Sequence, residues 1–299
     1  MVIKASASGS GILFAITGIV LFSAKAVMVK MAYAYDIDHL TLLLFRMGFA
    51  FPFYLLIAFW KKPLHPKVIT TKDYLWILFF GFVGYYLASL FDFMGLQHLK
   101  AGLERIILFI YPTMVVLLSW FFFKKRITKI QTLAIIITYI GIFITFWDEV
   151  AMNDTSVLLG GTLIFLSAFT YASYLVGSGW LIPKFGVIQF TSYAMIVSTL
   201  CIMLHYLLVN GFHLSNYPNE VYILGLAMAI FSTLVPSFLV SAAIGRLGAS
   251  TFSIFGSLGP VSTIILAFFF LDERISLFQI FGMIIVIAGV SLVSGKKGS

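Results

Sequence analysis

Residues 101–141 read AGLERIILFIYPTMVVLLSWFFFKKRITKIQTLAIIITYIG, and residues 249–289 read ASTFSIFGSLGPVSTIILAFFFLDERISLFQIFGMIIVIAG. The two stretches align without a gap, and each combines a small first residue, an apolar run with a central proline, a charged turn and a second apolar run. Matching residues lie about half of the 299-residue chain apart. Repeats of this kind, built from membrane-length segments, are typical of membrane transporters. Identical positions include Ala101 and Ala249, Pro112 and Pro260, Arg126 and Arg274, Gln131 and Gln279, and Gly141 and Gly289.

The composition excludes a soluble globular protein. Hydrophobic residues make up 61% of the chain and charged residues only 10%, and the mean hydropathy is +1.07. Soluble domains are about 25% charged. The apolar runs are continuous, which indicates membrane-spanning helices rather than the alternating strands of a β-barrel. The formal net charge of +8 fits basic residues that flank membrane spans, so we expect the partner to be the lipid bilayer and not a nucleic acid.

We predict an all-α integral membrane protein with ten transmembrane helices. Each repeat then contains five spans, and the boundary between the repeats divides the chain into residues 1–149 and 150–299. The predicted spans cover residues 9–30, 38–60, 74–97, 101–123, 130–147, 156–178, 187–209, 220–244, 249–271 and 277–294.

The distribution of lysine and arginine predicts the orientation of these spans, because such residues accumulate in cytoplasmic loops. If both termini are cytoplasmic, the outer segments hold only Lys100 and Arg274. Five is an odd number of spans, so the second repeat enters the membrane inverted relative to the first. We expect a bacterial cytoplasmic (inner) membrane. The inner segments hold Lys4, Lys61, Lys62, Lys67, Lys72, Lys124, Lys125, Arg126, Lys129, Lys184, Arg246, Lys296 and Lys297.

The two quoted stretches resemble the EamA-type members of the drug/metabolite transporter superfamily, as do FSAKAVMVKMAY at residues 22–33 and LLLFRM at residues 42–47. The resemblance covers nearly the whole chain. It implies ten helices, an inverted repeat, a central cavity and movement of small organic solutes, often outward, but it does not imply a particular substrate. One departure is the Lys-Lys-Arg turn at residues 124–126, where the family usually has an acid, and this weakens any role for an acidic residue there.

Five ionisable residues fall inside predicted spans: Lys25, Arg46, Asp92, Glu104 and Arg105. A charge at the centre of a membrane helix costs about 2.5–3.5 kcal/mol, so we expect these side chains to face the interior and to pair. All five lie in the outer third of the first repeat. One hypothesis is that they bind substrate or a coupling ion, and the other is a closed ion-pair network that locks the outer ends of four helices. A separate alternative is that Arg105 is solvated at the outer end and that Lys25 extends to the outer interface. The matching positions of the second repeat are Leu175, Ile196, Val240, Phe252 and Ser253.

Aromatic and helix-bending residues supply further candidates. Gly81 and Gly84 permit close approach of a helix or a ligand to the third span. Mid-span prolines free a carbonyl group and permit a kink. The candidate lining residues are Tyr85, Tyr111, Tyr171 and Tyr174, and the candidate hinge residues are Pro112, Gly256, Gly259 and Pro260.

These features predict a secondary transporter, most simply an exporter, that works by alternating access. The five intramembrane charges sum to one positive charge, so a carboxylate or phosphate on an amino acid-like solute is the natural counter-charge. Proton coupling is an open possibility, and a monomer is compatible with the sequence. The alternatives are an exporter of cationic drugs or a membrane enzyme, for which the inner loops offer only Asp73. No phosphate-binding loop, zinc motif or nucleophile motif is present, so we predict no catalytic residue, cofactor or metal.

Overall fold

The computed structural model describes residues 9–124, 126–152, 156–212, 216–247, 255–256 and 258–294. Within these ranges every regular element is helical and no strand occurs. The first half contains α1 (Gly9–Tyr33), α2 (His39–Trp60), a short 3-10 turn (Pro66–Val68), α3 (Thr71–Phe80), a π-helical segment (Gly81–Leu87), α4 (Ala88–Leu96), α5 (Ala101–Leu108), α6 (Tyr111–Phe123) and α7 (Lys129–Met152).

The second half follows the same order of spans, although its described residues include no 3-10 turn and no counterpart of α5. It contains α8 (Ser156–Phe185), α9 (Val187–Asn210), α10 (Asn219–Ala229), a second π-helical segment (Ile230–Leu234), α11 (Val235–Leu247), α12 (Leu258–Leu271) and α13 (Leu277–Ser294).

Seven of the described helical stretches are long and apolar enough to cross a membrane, and three further apolar helices are shorter. Their bounds lie close to the predicted spans. The sixth predicted span, residues 156–178, is too short, because α8 continues to Phe185. The first residues of the predicted span 249–271 lie outside the described residues, as do both chain termini.

Local sequence signals fix several helix ends. Asp38 accepts hydrogen bonds from the backbone N–H groups of Leu40 and Thr41, both at 2.9 Å, and so caps the first turn of α2. Helices α6 and α12 end at equivalent places in the two repeats, where Lys124 and Asp272 both adopt left-handed backbone with φ near 54° and 52°. A left-handed residue is a common way to end a helix, and here two residues of opposite charge make the same turn.

Each helix of one half packs on partners from the other half. Helix α1 packs against α11 and α12, and α8 packs against α4 and α6. Helix α2 packs against α9, and α7 packs against α13. The interior between the halves buries Met47, Tyr54 and Phe93. The matching pairs Phe121–Phe122 and Phe269–Phe270 are all exposed on the outside, which suits contact with lipid tails.

The sequence did not predict the two π-helical segments, which interrupt equivalent helices of the two repeats. Such segments widen a helix locally and are frequent at functional sites. In the first, a side chain added at Gly84 would collide with Tyr174 of α8. Gly84 therefore lets α8 approach the backbone of this segment.

Candidate functional site

A cavity of about 190 Å³ lies between the two halves. Its wall is formed by α1, α2, the first π-helical segment, α4, α5, α6, α8, α11 and α12 together with Phe109 and Gly256. Most of the site and hinge residues predicted from the sequence lie on it, although they come from distant parts of the chain. These are Lys25, Arg46, Tyr85, Asp92, Arg105, Tyr111, Tyr171, Gly256, Gly259 and Pro260.

One cation and two acids form a buried group at the cavity. The ammonium of Lys25 lies 2.5 Å from Oδ2 of Asp92 and 3.4 Å from Oε1 of Glu104. Lys25 is 7% exposed, Asp92 2% and Glu104 0%. Lys25 and Asp92 reach the cavity wall, whereas Glu104 lies behind it. The alternative in which Lys25 extends to the membrane surface is therefore wrong, and Lys25 is held by two carboxylates.

The second oxygen of each acid is not satisfied by the protein. Oδ1 of Asp92 and Oε2 of Glu104 are buried and have no hydrogen-bond partner in the described part of the chain. Buried carboxylate oxygens normally accept hydrogen bonds, so two adjacent exceptions require an explanation.

Arg46 pairs with a hydroxyl group. Its Nε donates a hydrogen bond of 2.8 Å to Oγ1 of Thr233 in the second π-helical segment. Its guanidinium also lies 5.5 Å from the centroid of the Phe93 ring. Arg46 is 6% exposed and lines the cavity. Among the described residues, no carboxylate lies within ion-pair distance of it.

Arg105 also lines the cavity and contacts α1. Its Nη2 lies 3.4 Å from Oγ of Ser23, a long hydrogen bond. The Ser23 hydroxyl in turn contacts the carbonyl oxygens of Ile19, at 2.8 Å, and Gly259, at 3.2 Å. Arg105 is half-buried, and no carboxylate of the described residues lies within ion-pair distance of it either. The expectation that all five charges pair is therefore wrong for Arg46 and Arg105.

The four predicted tyrosines pack together. Tyr85 and Tyr174 have ring centroids 4.7 Å apart, and Tyr111 and Tyr171 have centroids 5.4 Å apart. Tyr171 stacks on Tyr174 at 6.1 Å. Tyr85, Tyr111 and Tyr171 line the cavity, and Tyr174 supports them from behind. The cavity thus has an aromatic wall beside its charged residues.

The predicted hinge residues lie at two different kinds of place. Pro112 follows a break between α5 and α6 at residues 109–110, so the fourth span is discontinuous. Pro260 lies in the first turn of α12, next to Gly259 on the cavity wall. Whether these residues act as hinges stays a prediction.

Several residues that shape the site carry no recognisable sequence signal. Thr233 and Ser23 hold the two arginines, and Ser89 and Ser167 line the cavity. The carboxylate of Glu273 accepts hydrogen bonds from the backbone N–H groups of Ala101, at 2.9 Å, and Gly102, at 3.2 Å. An acid from the turn of one repeat therefore caps a helix of the other.

Comparison with known proteins gives the family. The EamA-like transporter family matches the chain twice, over residues 9–147 and 158–295. The uncharacterized transporter YcbK of Bacillus subtilis (strain 168) is 30% identical over 98% of this chain and 97% of its own length. An uncharacterized transporter of Synechocystis sp. is 27% identical over 86% of this chain and 80% of its own length.

A solved crystal structure has the same fold, with a TM-score of 0.63 at 17% identity, and covers 96% of this chain and 99% of that chain. These similarities extend over most of the sequence, and the apolar helices of the structure fit a multi-pass membrane protein. The protein therefore belongs to the EamA-like transporter family, within the drug/metabolite transporter superfamily.

Proposed function

We propose that this protein is a secondary transporter that moves a small solute with a carboxylate or phosphate group through the cavity by alternating access. Arg46 and Arg105 are the proposed counter-charges for that group. Tyr85, Tyr111 and Tyr171 are the proposed contacts for the rest of the solute.

The proposal rests on how the five intramembrane charges are paired. Lys25 contacts Asp92 and Glu104, whereas Arg46 and Arg105 line the cavity with no carboxylate of the described residues within ion-pair distance. A buried charge is costly unless it is paired. Guanidinium groups bind carboxylates and phosphates through charge-assisted hydrogen bonds. An anionic solute would thus complete a site that the protein leaves short of negative charge.

The size of the cavity favours a small metabolite over a drug. Pockets for drug-sized ligands measure about 300–1,000 Å³, and this cavity measures about 190 Å³. Its aromatic wall suits an apolar or ring-bearing body. An amino acid-like solute combines these properties.

The proposed architecture is a pair of inverted five-helix repeats, residues 1–149 and 150–299. Support comes from the matching helices α7 and α13, which cross closely at their glycines. A side chain added at Gly141 would meet Gly282 and Val286, and one added at Gly289 would meet Thr138. The lower-numbered residue of α7 thus meets the higher-numbered residue of α13, which is the pattern of two helices that run in opposite directions.

A second contact also supports the inversion. Glu273, just after α12, binds the first residues of α5. The end of the ninth predicted span therefore meets the beginning of the fourth, its repeat equivalent. We further propose that both termini are cytoplasmic, that the membrane is the bacterial inner membrane, and that the solute moves outward under cellular conditions.

The experiment is a comparison of Arg46→Leu with Ile196→Leu, its matched control in the second repeat. Binding of L-phenylalanine, phenylacetate and phenyl phosphate is measured on the purified protein, and flux is measured in proteoliposomes. We expect Arg46→Leu to raise the Kd roughly tenfold or more, since a hydrogen bond to a charged group is worth about 1.5–3 kcal/mol. We expect Ile196→Leu to bind as the wild type does.

The proposal fails if the wild type transports the lipophilic cation tetraphenylphosphonium and none of the anionic compounds. That result would favour a cationic drug exporter. It also fails if Arg46→Leu folds normally and binds the anions with unchanged affinity.

A further inference from the structure

Two buried carboxyl groups share a single cation beside the cavity. Lys25 supplies one positive charge, and Asp92 and Glu104 supply two negative charges if both are ionised. Each acid uses one oxygen on the ammonium, and the other oxygen, Oδ1 of Asp92 or Oε2 of Glu104, has no hydrogen-bond donor in the described residues. Counted by themselves, Lys25, Asp92 and Glu104 carry one excess negative charge, and one oxygen of each acid lacks a donor. Arg46 acts on Asp92 and Arg105 acts on Glu104 through their charges, without an ion-pair contact.

We infer that Asp92 and Glu104 together bind one proton, and that this proton and an anion in the cavity favour each other's binding. A single proton on either unsatisfied oxygen supplies the missing charge and the missing donor at once. The proton comes from solvent on the side to which the cavity is open, and no bond between heavy atoms changes. The inference deepens the proposed function and rests on it.

The coupling follows from the charges that surround the acid pair. A proton there removes one negative charge from the acid pair, so the pair repels an anion bound near Arg46 and Arg105 less strongly. By linkage, a bound anion favours the proton by the same free energy. The other titratable or charged groups that act on the pair are Tyr33 of α1 and Arg46 of α2, both on Asp92, and Arg105 of α5, on Glu104.

Tyr33, Lys30 and Glu273 each have hydrogen-bond partners of their own. The Tyr33 hydroxyl donates to the carbonyl of Phe93 at 2.6 Å, and Lys30 donates to the carbonyl of Leu96 at 3.2 Å. The carboxylate of Glu273 is held by two backbone N–H groups of α5.

Positive coupling means that solute and proton travel in the same direction. A solute that is more concentrated inside the cell would then leave together with a proton, so this coupling is compatible with export.

The experiment measures the Kd of phenylacetate and of L-phenylalanine for the purified full-length protein between about pH 6 and pH 8. The carboxyl groups of both probes stay ionised in this range, since such groups titrate near pH 4. We expect the wild-type affinity to rise as the pH falls, by at most about tenfold per pH unit for one proton. We expect Glu104→Gln and Asp92→Asn to bind with an affinity that does not change with pH.

Matched controls are Glu220→Gln and Asp36→Asn, which remove exposed carboxylates that do not line the cavity. Both should keep the wild-type pH dependence. A pH dependence that persists in both Glu104→Gln and Asp92→Asn would place the proton elsewhere and overturn the inference. Binding that is tight but independent of pH in the wild type would overturn the inference and leave the proposed function standing.

A second measurement does not depend on the solute or on the stability of one variant. Infrared spectroscopy of the wild-type protein should show the carbonyl band of a protonated carboxyl group near neutral pH, and this band should be lost in either acid variant. Absence of the band in the wild type at every pH from about 5 to 9 overturns the inference. If neither probe binds at any pH, the proposed function fails, and the inference fails with it.

Discussion

The two halves of this protein have the same order of helices but differ sharply in what those helices carry inside. Lys25, Arg46 and Asp92 in the first half correspond to Leu175, Ile196 and Val240 in the second. Asp92 and its counterpart Val240 line the same cavity. The second half shows that the packing is possible with apolar residues at these positions, so the charges of the first half are not a requirement of the fold. The remaining counterparts, Phe252 and Ser253, lie outside the described residues.

The two π-helical segments make a second comparison. Tyr85 of the first segment lies on the cavity wall, and the residue at its place in the second segment is Thr233, which holds Arg46. Gly84 of the first segment is packed against Tyr174, and its counterpart Ser232 bonds to the carbonyl of Met228 at 2.9 Å. Equivalent backbone irregularities thus serve different tasks: one positions an aromatic ring, and the other positions a guanidinium.

The largest expected effect concerns the orientation of the two halves. Reporter fusions at residues 126 and 274, which are equivalent turns, should give opposite compartments, with residue 126 in the cytoplasm. The reason is the accumulation of lysine and arginine on one side of an odd number of spans. The same compartment for both fusions would end the inverted-repeat architecture.

A large effect on stability is expected when one member of the buried charge group is removed. Lys25→Leu introduces the residue that the second half has at this place, but it leaves Asp92 and Glu104 without their cation. Breaking a buried pair in this way costs about 3–5 kcal/mol. Thermal unfolding in detergent should show a clear loss of stability, together with loss of transport.

A sharper comparison uses the triple variant Lys25→Leu, Asp92→Val and Glu104→Phe. It gives these three positions the residues that the second half has at the matching positions. Replacing a whole buried ion pair by apolar residues is often neutral or stabilising by about 1–4 kcal/mol. We expect this variant to recover most of the stability that Lys25→Leu loses while remaining inactive. If it is less stable than Lys25→Leu, the ion pairs among these three residues serve the fold.

The smallest effect is expected from exchanging residues between the π-helical segments. Gly84→Ser places a side chain against Tyr174 and should destabilise the protein by about 1–3 kcal/mol, as overpacked substitutions do. The control Ser232→Gly removes a hydroxyl from a helical position and should cost only about 0.5–1 kcal/mol. Equal losses, measured as shifts in the midpoint of thermal unfolding, would show that the two segments are packed alike.

Much of the fold could be predicted from local properties of the sequence. The apolar runs gave helix positions close to those observed, and the repeat gave matching ends such as the turns at Lys124 and Asp272. Pro112 predicted a kink in the fourth span, but the sequence did not show that the helix breaks at residues 109–110. The π-helical segments were missed because they depend on close packing between helices, such as that of Tyr174 against Gly84.

The sequence by itself determined which charged residues had to lie in the protein interior. An unpaired charge in contact with lipid is costly, so Lys25, Asp92 and Glu104 could be assigned to the interior from composition and position alone. The tertiary structure decided their partners. Helices that are apolar on all sides give no periodic signal of which face is turned inward. Only packing could show that two acids hold Lys25, and that Arg46 meets Thr233, 187 residues away, leaving its guanidinium at the cavity.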